Sequence, residues 1–287
     1  MVTPFDGRGE VDYAQARRLA LALLDSGSDG VVVAGTTGES PTLTRDEKLR
    51  LFAEVKEAVG EKGRVVAGTG TYSTAESREL TREAAETGVD ACLLVVPYYN
   101  RPPQDGLYQH FKAVAEGTDL PCILYNVPSR TGTDMAPETV ARLAAVGNIV
   151  GIKEASGKMD QVGKILSGVK RRDFFVWSGN DSDTLPMMAM GAYGVIAVVS
   201  HLVGRQYRQM MEKYLAGQVA EAAAIHQRLL PLMNALFVVA NPIPVKWALN
   251  RVGFPVGKPR LPLVEPDEKA AATIDAVLKG VTIDLPR

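Results

Sequence analysis

Apolar positions along this chain fall into short continuous runs, with stretches of helical repeat between them. Residues 30–35, 64–68, 91–96, 121–125, 149–153, 174–177 and 194–199 are each nearly unbroken in apolar character and rich in Val, Ile and Leu. That is the pattern of strands buried on both faces. The intervening segments carry helix-start signals: Thr44-Arg45-Asp46-Glu47 and Ser73-Thr74-Ala75-Glu76 both fit a capping box, in which hydroxyl and glutamate satisfy free first-turn amides. Before the first run, Ala16, Leu19, Ala20 and Leu23 recur at the spacing of one helix face. Strand, loop and helix in steady alternation predict repeated βαβ crossovers.

Seven such strands follow residue 30, whereas a parallel barrel needs eight. Val2-Thr3 is therefore expected to be the stub of a truncated first strand. An open doubly wound sheet is the competing architecture, but Gly68-Thr69-Gly70 lacks the third glycine of a dinucleotide-binding turn. Polar residues gather beyond the ends of many different strands, as in a site built from barrel rim loops. The expected fold is thus α/β, a (β/α)8 TIM barrel over residues 1–217, with a C-terminal helical appendage over residues 218–287. In the appendage Ala222, Ile225, Leu229, Leu232 and Leu236 form an apolar stripe, and Pro231 is expected to kink it.

Composition then removes whole classes of function. With 32 basic and 33 acidic side chains, the net charge is −1, which argues against a general binder of nucleic acid or anionic membrane. No apolar stretch reaches the roughly 18 residues of a membrane span, and no signal-peptide pattern opens the chain. Cys92 and Cys122 lie in apolar runs and read as reduced core residues of a cytoplasmic protein.

Lys153 is the most informative residue. It follows Ile149, Val150, Gly151 and Ile152; if Val150 and Ile152 face the helices, period-two alternation points Lys153 inward. One reading is a snorkelling lysine paired with a carboxylate such as Glu154. The other is a desolvated amine able to form a Schiff base with a carbonyl substrate. Tyr125 ends the preceding strand with inward parity. It is either core packing or the phenol that moves protons during imine formation. The loop Gly35-Thr36-Thr37-Gly38-Glu39-Ser40 has the glycines and hydroxyls of an anion-binding concavity, although an ordinary loop reads the same way. Arg130 can clamp a carboxylate bidentately or stand as a solvated loop arginine. His110, His201 and His226 are too far apart in sequence for a zinc site, so no metal is expected. No Gly-x-Ser-x-Gly elbow supports a serine nucleophile.

Taken together and in order, five motifs closely resemble the dihydrodipicolinate synthase family. They are the Gly35–Ser40 loop, Pro97-Tyr98-Tyr99-Asn100-Arg101-Pro102, Tyr125-Asn126-Val127-Pro128-Ser129-Arg130-Thr131-Gly132, Gly151-Ile152-Lys153-Glu154 and Asn241-Pro242-Ile243-Pro244-Val245-Lys246-Trp247. The resemblance implies a lyase of lysine and diaminopimelate biosynthesis that condenses pyruvate with L-aspartate 4-semialdehyde through a Schiff base. It implies that Lys153 forms the imine, without any other cofactor. Tyr125, Thr36 and Tyr99 are implied as a proton relay, with Tyr99 reaching into a neighbouring subunit. Thr37 and Gly38 are implied to hold the pyruvate carboxylate, Ile196 to offer a backbone carbonyl near Lys153, and Arg130 to bind the semialdehyde carboxylate. A homotetramer built as a dimer of dimers is implied as well. Sialic-acid lyases and keto-deoxy sugar acid aldolases are the alternative within the same superfamily; they have less use for the Ser129–Gly132 segment.

Many members of the family are inhibited by lysine at an interface crevice. The matching positions are Ser40, Pro41, Arg45, Lys48, Gly70, Tyr72, Glu76 and Tyr98. Glu76 and Tyr98 resemble the lysine-sensitive pattern, whereas Arg45, Lys48 and Tyr72 depart from it. A degenerate effector site with weak or absent feedback is therefore expected.

Overall fold

The computed structural model describes residues 1–286. They pack as two compact units, one of residues 1–65 and 198 onward, the other of residues 66–197.

In the first unit the helix Tyr13–Asp25 buries Ala16, Leu19, Ala20 and Leu23, the face its spacing predicts. The strand β1 (Gly30–Val33) follows. Thr44 then heads the helix Arg45–Val59 with the reciprocal bonds of a full capping box: Glu47 N donates to Thr44 Oγ1 at 3.2 Å and Thr44 N to Glu47 Oε2 at 2.8 Å. Met1, Val2 and Thr3 are buried, and the Met1 ammonium donates to the Val32 carbonyl of β1 at 2.6 Å. They lie along β1 where the first strand is expected but form no regular ladder, so the sheet has seven strands among the described residues. His201 secures this end. Its Nε2 accepts from Val2 N (3.1 Å), which leaves the ring hydrogen on Nδ1 to donate to Val198 O (2.8 Å). Burial, with the nearby amino terminus adding to it, lowers the pKa of this neutral ring to about 3.

The C-terminal residues form the helices Val219–Ala235, Ile243–Arg251 and Glu268–Leu278. Ala222, Leu229, Leu232 and Leu236 are buried as the stripe predicts. The helix runs on through Pro231. It forfeits one backbone bond, and the buried Leu229 and Leu232 on either side keep the turn packed. Helical dihedrals fail at Val203 (φ −133°, ψ 40°), inside Ser200–Leu215.

The second unit carries the strands β2 (Arg64–Gly68), β3 (Ala91–Val95), β4 (Cys122–Asn126), β5 (Ile149–Glu154), β6 (Phe175–Ser178) and β7 (Gly194–Val195), paired in parallel and in chain order. Alternate residues Cys92, Leu94, Cys122, Leu124 and Val176 pack against Leu107, Phe111, Val140, Leu143, Val162 and Ile165 from the crossover helices. The last strand stops well short of the predicted residue 199, although Ile196 N still donates to Ser178 O at 3.0 Å. The second capping box is only half made. Ser73 Oγ accepts from Glu76 N, but the Glu76 carboxylate meets Thr71 Oγ1 rather than the Ser73 amide, because Thr71 Oγ1 already takes that amide at 3.0 Å.

One local irregularity bears on the site. Cys122 pairs with Ile149 and Ile123 with Gly151, so Val150 is an extra residue in β5. Such a bulge resets the alternation of side chains. Ile149 and Ile152, not Val150 and Ile152, therefore share the helix-facing core.

Candidate active site

Beyond the bulge β4 and β5 run in register, with Tyr125 opposite Lys153 and Asn126 opposite Glu154. Adjacent partners in a parallel ladder project to the same face, and Lys153 Nζ lies 4.5 Å from the centroid of the Tyr125 ring. Tyr125 is buried and Lys153 half-buried. Glu154 projects to the other face, where its carboxylate accepts from Asn126 Nδ2 (3.0 Å) and Ser156 N (2.7 Å). Burial raises the Glu154 pKa above the ordinary carboxylate range. Glu154 is thus no partner for Lys153, and among the described residues Lys153 Nζ has no carboxylate partner.

Two further features hold this corner, and neither was apparent from the motifs. Gly179, just past β6, lies flat against the lysine stem: a Cβ there would stand 3.2 Å from both Cγ and Cε of Lys153 and 2.6 Å from Ala155 Cβ. Its only sequence signal is a glycine at a strand end. Behind the strands, Asn126 Nδ2 also donates to Asp134 Oδ1 (2.8 Å), which receives Gln161 Nε2 (2.9 Å), while Lys158 Nζ donates to Asp134 Oδ2 (3.0 Å). Burial works against the Asp134 charge, yet these bonds hold its pKa below the usual value.

The loops after β3 and β4 approach each other. The Arg101 guanidinium lies against Gly132, where a Cβ would be 3.1 Å from Arg101 Nε, and Gly132 itself has φ +70°. The positive φ favours glycine there. Arg130 stands exposed on the short helix Pro128–Thr131. Tyr98 is half-buried and meets the exposed Tyr72 edge to face, with centroids 5.3 Å apart; burial, then Tyr72 and Glu76, push the Tyr98 pKa up. Tyr99 is 94% exposed at φ +76°. Ile196 is half-buried beyond β7.

In the first unit the loop Gly35–Ser40 is tied down at three successive residues. Thr37 Oγ1 accepts from Asn241 Nδ2 (2.9 Å), the Gly38 carbonyl from Thr3 Oγ1 (2.6 Å), and the Glu39 carboxylate from Lys246 Nζ (2.7 Å) and Arg260 N (2.9 Å). Thr36 is half-buried. Burial lowers the Lys246 pKa to about 8, against the opposing pull of Glu39. Of the expected effector residues, Ser40 is half-buried, Arg45 exposed and Lys48 buried on the inner side of Arg45–Val59; in the second unit Glu76 is exposed. The non-glycine residues with positive φ among those described are Ala34, Glu39, Tyr99 and Arg101. All lie at the two polar loops, where such strained backbone tends to collect.

A model of the dihydrodipicolinate synthetase family matches residues 1–281. The chain belongs to this family. The 4-hydroxy-tetrahydrodipicolinate synthase of Dehalococcoides mccartyi is 65% identical over 286 residues, which cover 100% of this chain and 96% of that protein. Among solved structures, a dihydrodipicolinate synthase from Bacillus anthracis is 45% identical with a TM-score of 0.96, covering 100% of this chain and 97% of its own. The enzyme from Cyanidioschyzon merolae, solved with lysine bound, is 47% identical with a TM-score of 0.96, covering 98% and 95%. The fold class is therefore the (β/α)8 barrel with C-terminal helices. The activity is that of a 4-hydroxy-tetrahydrodipicolinate synthase, a lyase of lysine and diaminopimelate biosynthesis acting on small molecules. No helix among the described residues is long and apolar enough to cross a membrane.

Proposed function

We propose that this family member condenses pyruvate with L-aspartate 4-semialdehyde through an imine on Lys153. The observation that carries the reading is the Lys153–Tyr125 pair: an inward amine without a carboxylate partner, 4.5 Å from the centre of a phenol ring on the adjacent strand. A carboxylate partner would tie the amine away from substrate; Lys153 has none, so once its proton is removed it can reach a ketone carbonyl. Attack on the pyruvate carbonyl gives a carbinolamine, whose oxygen must gain a proton to leave as water. Tyr125 donates that proton, drawing on Thr36 and Tyr99 as the relay that resupplies it. The protonated imine acidifies the pyruvate methyl group, whose proton returns to that relay, giving the enamine that attacks the aldehyde. No further cofactor is needed for this carbon–carbon bond.

Substrate placement follows from the same loops. Thr37, with its hydroxyl, and the Gly38 amide take the pyruvate carboxylate, Ile196 offers its backbone carbonyl to the amine, and exposed Arg130 takes the semialdehyde carboxylate. A phenol as exposed as Tyr99, held at a strained φ, supports its use by a neighbouring subunit in a homotetramer. The buried, unbonded thiols of Cys92 and Cys122 suit a reducing cytoplasm. Lysine feedback is weak, since Arg45, Lys48 and Tyr72 depart from the residues of the lysine-sensitive pattern.

Borohydride reduction in the presence of pyruvate, followed by mass spectrometry, tests the imine. The wild type gains a pyruvate-sized adduct on Lys153; Lys153→Ala and Lys153→Arg gain none, because a guanidinium is always protonated and no nucleophile. An adduct on another lysine overturns the mechanism.

A further inference from the structure

Lys246 and Glu39 form a buried ion pair, 1% and 0% exposed, that the reaction chemistry does not use. A buried ion pair is poor evidence of a stability device, because an apolar pair of the same volume often serves as well. Its neighbours suggest another role. The Glu39 backbone sits at φ +57°, a conformation that non-glycine residues adopt only when the surroundings hold them there. Both carboxylate oxygens are taken, Oε1 by Lys246 Nζ at 2.7 Å and Oε2 by the Arg260 amide at 2.9 Å. Lys246 Nζ also donates to Lys258 O at 3.1 Å and lies 4.1 Å over the Phe5 ring. Arg260 in turn grips Glu47 with two nitrogens, at 2.8 and 2.6 Å, and lies over the same ring at 4.4 Å. Glu39 is thus held directly from the helix Ile243–Arg251 and the loop that follows it, and through Lys246 and Arg260 these are braced by Phe5 and Glu47. It stands two residues after Thr37 in a turn closed by Gly38 N to Gly35 O (3.0 Å) and Glu39 N to Thr36 O (3.1 Å).

We propose that the Glu39–Lys246 pair is a positioning device for the reaction, holding the Gly35–Ser40 turn so that Thr36 and Thr37 present their hydroxyls and amides to the keto acid. The proposal rests on the reading above, in which those two threonines meet pyruvate. The turn closes through the Thr36 carbonyl, so releasing Glu39 from Lys246 and Arg260 loosens the peptide plane between Thr36 and Thr37, with only the ties to Asn241 and Thr3 left to hold the loop. Preorganised donors lose their value when they must be ordered at the moment of binding. Lys246 acts through Glu39, without touching substrate.

The test is the double variant Glu39→Gln with Lys246→Met, which removes both charges at near-constant volume, studied as the full chain. The pyruvate KM is expected to rise by about tenfold or more while the aspartate semialdehyde KM stays within about twofold. Without substrate, amide hydrogen exchange at residues 36–40 is expected to accelerate relative to the rest of the chain. A folded double variant with an unchanged pyruvate KM overturns the proposal, as does an equal rise for both substrates. Should the double variant not fold, Glu39→Gln alone, which keeps one acceptor oxygen and sets an amide donor against either Lys246 or the Arg260 amide, is read by the same two criteria. The exchange measurement involves no chemistry, so it separates the two ideas. If the wild type traps no pyruvate on Lys153, the reading of the site fails; if exchange at residues 36–40 stays unchanged in the variant, the anchoring fails.

Discussion

Two inward lysines, Lys246 in one compact unit and Lys153 in the other, show opposite uses of the same side chain. Lys246 is almost wholly buried, with Glu39, the Lys258 carbonyl and the Phe5 ring around its ammonium. Lys153 is half-buried, with the Tyr125 ring beside it and no carboxylate partner. Perturbation of the pKa alone would single out Lys246, which burial lowers to about 8, since strongly shifted groups often mark functional sites. Geometry reverses that choice. An amine whose hydrogens are all spoken for anchors a turn; a nucleophile needs its lone pair unclaimed. The backbone supports differ in the same sense, a regular ladder under Lys153 and a strained turn at Glu39.

The contrast is most severely tested at Tyr125. Tyr125→Phe keeps the ring beside Lys153 and removes only the hydroxyl, so the fold should survive while kcat falls by at least about 100-fold, the scale of a positioned acid–base group. A loss under about fivefold would return Tyr125 to a packing role. Gly179 probes the lysine stem. In Gly179→Ala the new Cβ meets Ala155 Cβ at 2.6 Å and the Lys153 stem at 3.2 Å, so Lys153 must shift. A drop in kcat of about tenfold is expected, because small misplacements of reacting groups are costly; imine trapping should slow in parallel. Full trapping rates in a folded Gly179→Ala protein would show that the stem position is not critical.

Each unit also holds one buried neutral histidine, which gives them comparable acid sensitivity. Burial lowers His110 to about 4 and, in the other unit, His201 to about 3, from 6.5. The unfolded chain therefore binds protons first as pH falls below 6.5, and stability drops from there toward the folded pKa values. At pH 5 the loss is about 2 kcal/mol for each ring, at 1.36 kcal/mol per pKa unit. Urea unfolding at pH 7 and pH 5 measures it, and His110→Asn should remove roughly half of the difference. A difference unaffected by that substitution would place the acid-sensitive groups elsewhere. The smallest effect concerns lysine. Activity should show no half-inhibition below about 1 mM lysine at fixed ionic strength, a limit set by like-charge repulsion of about 1 to 4 kcal/mol. Half-inhibition below that concentration would mean that Arg45 and Lys48 lie outside the effector's reach.

Much of this molecule is written locally. The strands, the helix face of Tyr13–Asp25 and the Thr44 box follow from alternation and capping, which operate over a few residues. Where a local competitor was available, the local reading failed: Thr71 took the amide that Glu76 was expected to cap. Lys153 was legible as inward, although through a neighbour that proved to be a bulge. The alternation of Ile152 and Lys153 survives because Val150 absorbs the extra residue before them.

The anchoring of the threonine loop has no such local code. Glu39 meets Lys246 across 207 residues and the Arg260 amide across 221, and Thr37 meets Asn241 across 204. Each of these groups is an ordinary polar residue in its own segment, and the Asn241–Trp247 motif marks the place without stating its purpose. The same holds for Gly179, whose missing side chain matters only because Lys153 and Ala155 arrive from another strand. Periodicity and capping are properties of neighbouring residues, so the chain carries them before it folds. Which carboxylate neutralises which lysine, and which amine is left free, depends on distances that exist only once the segments have packed.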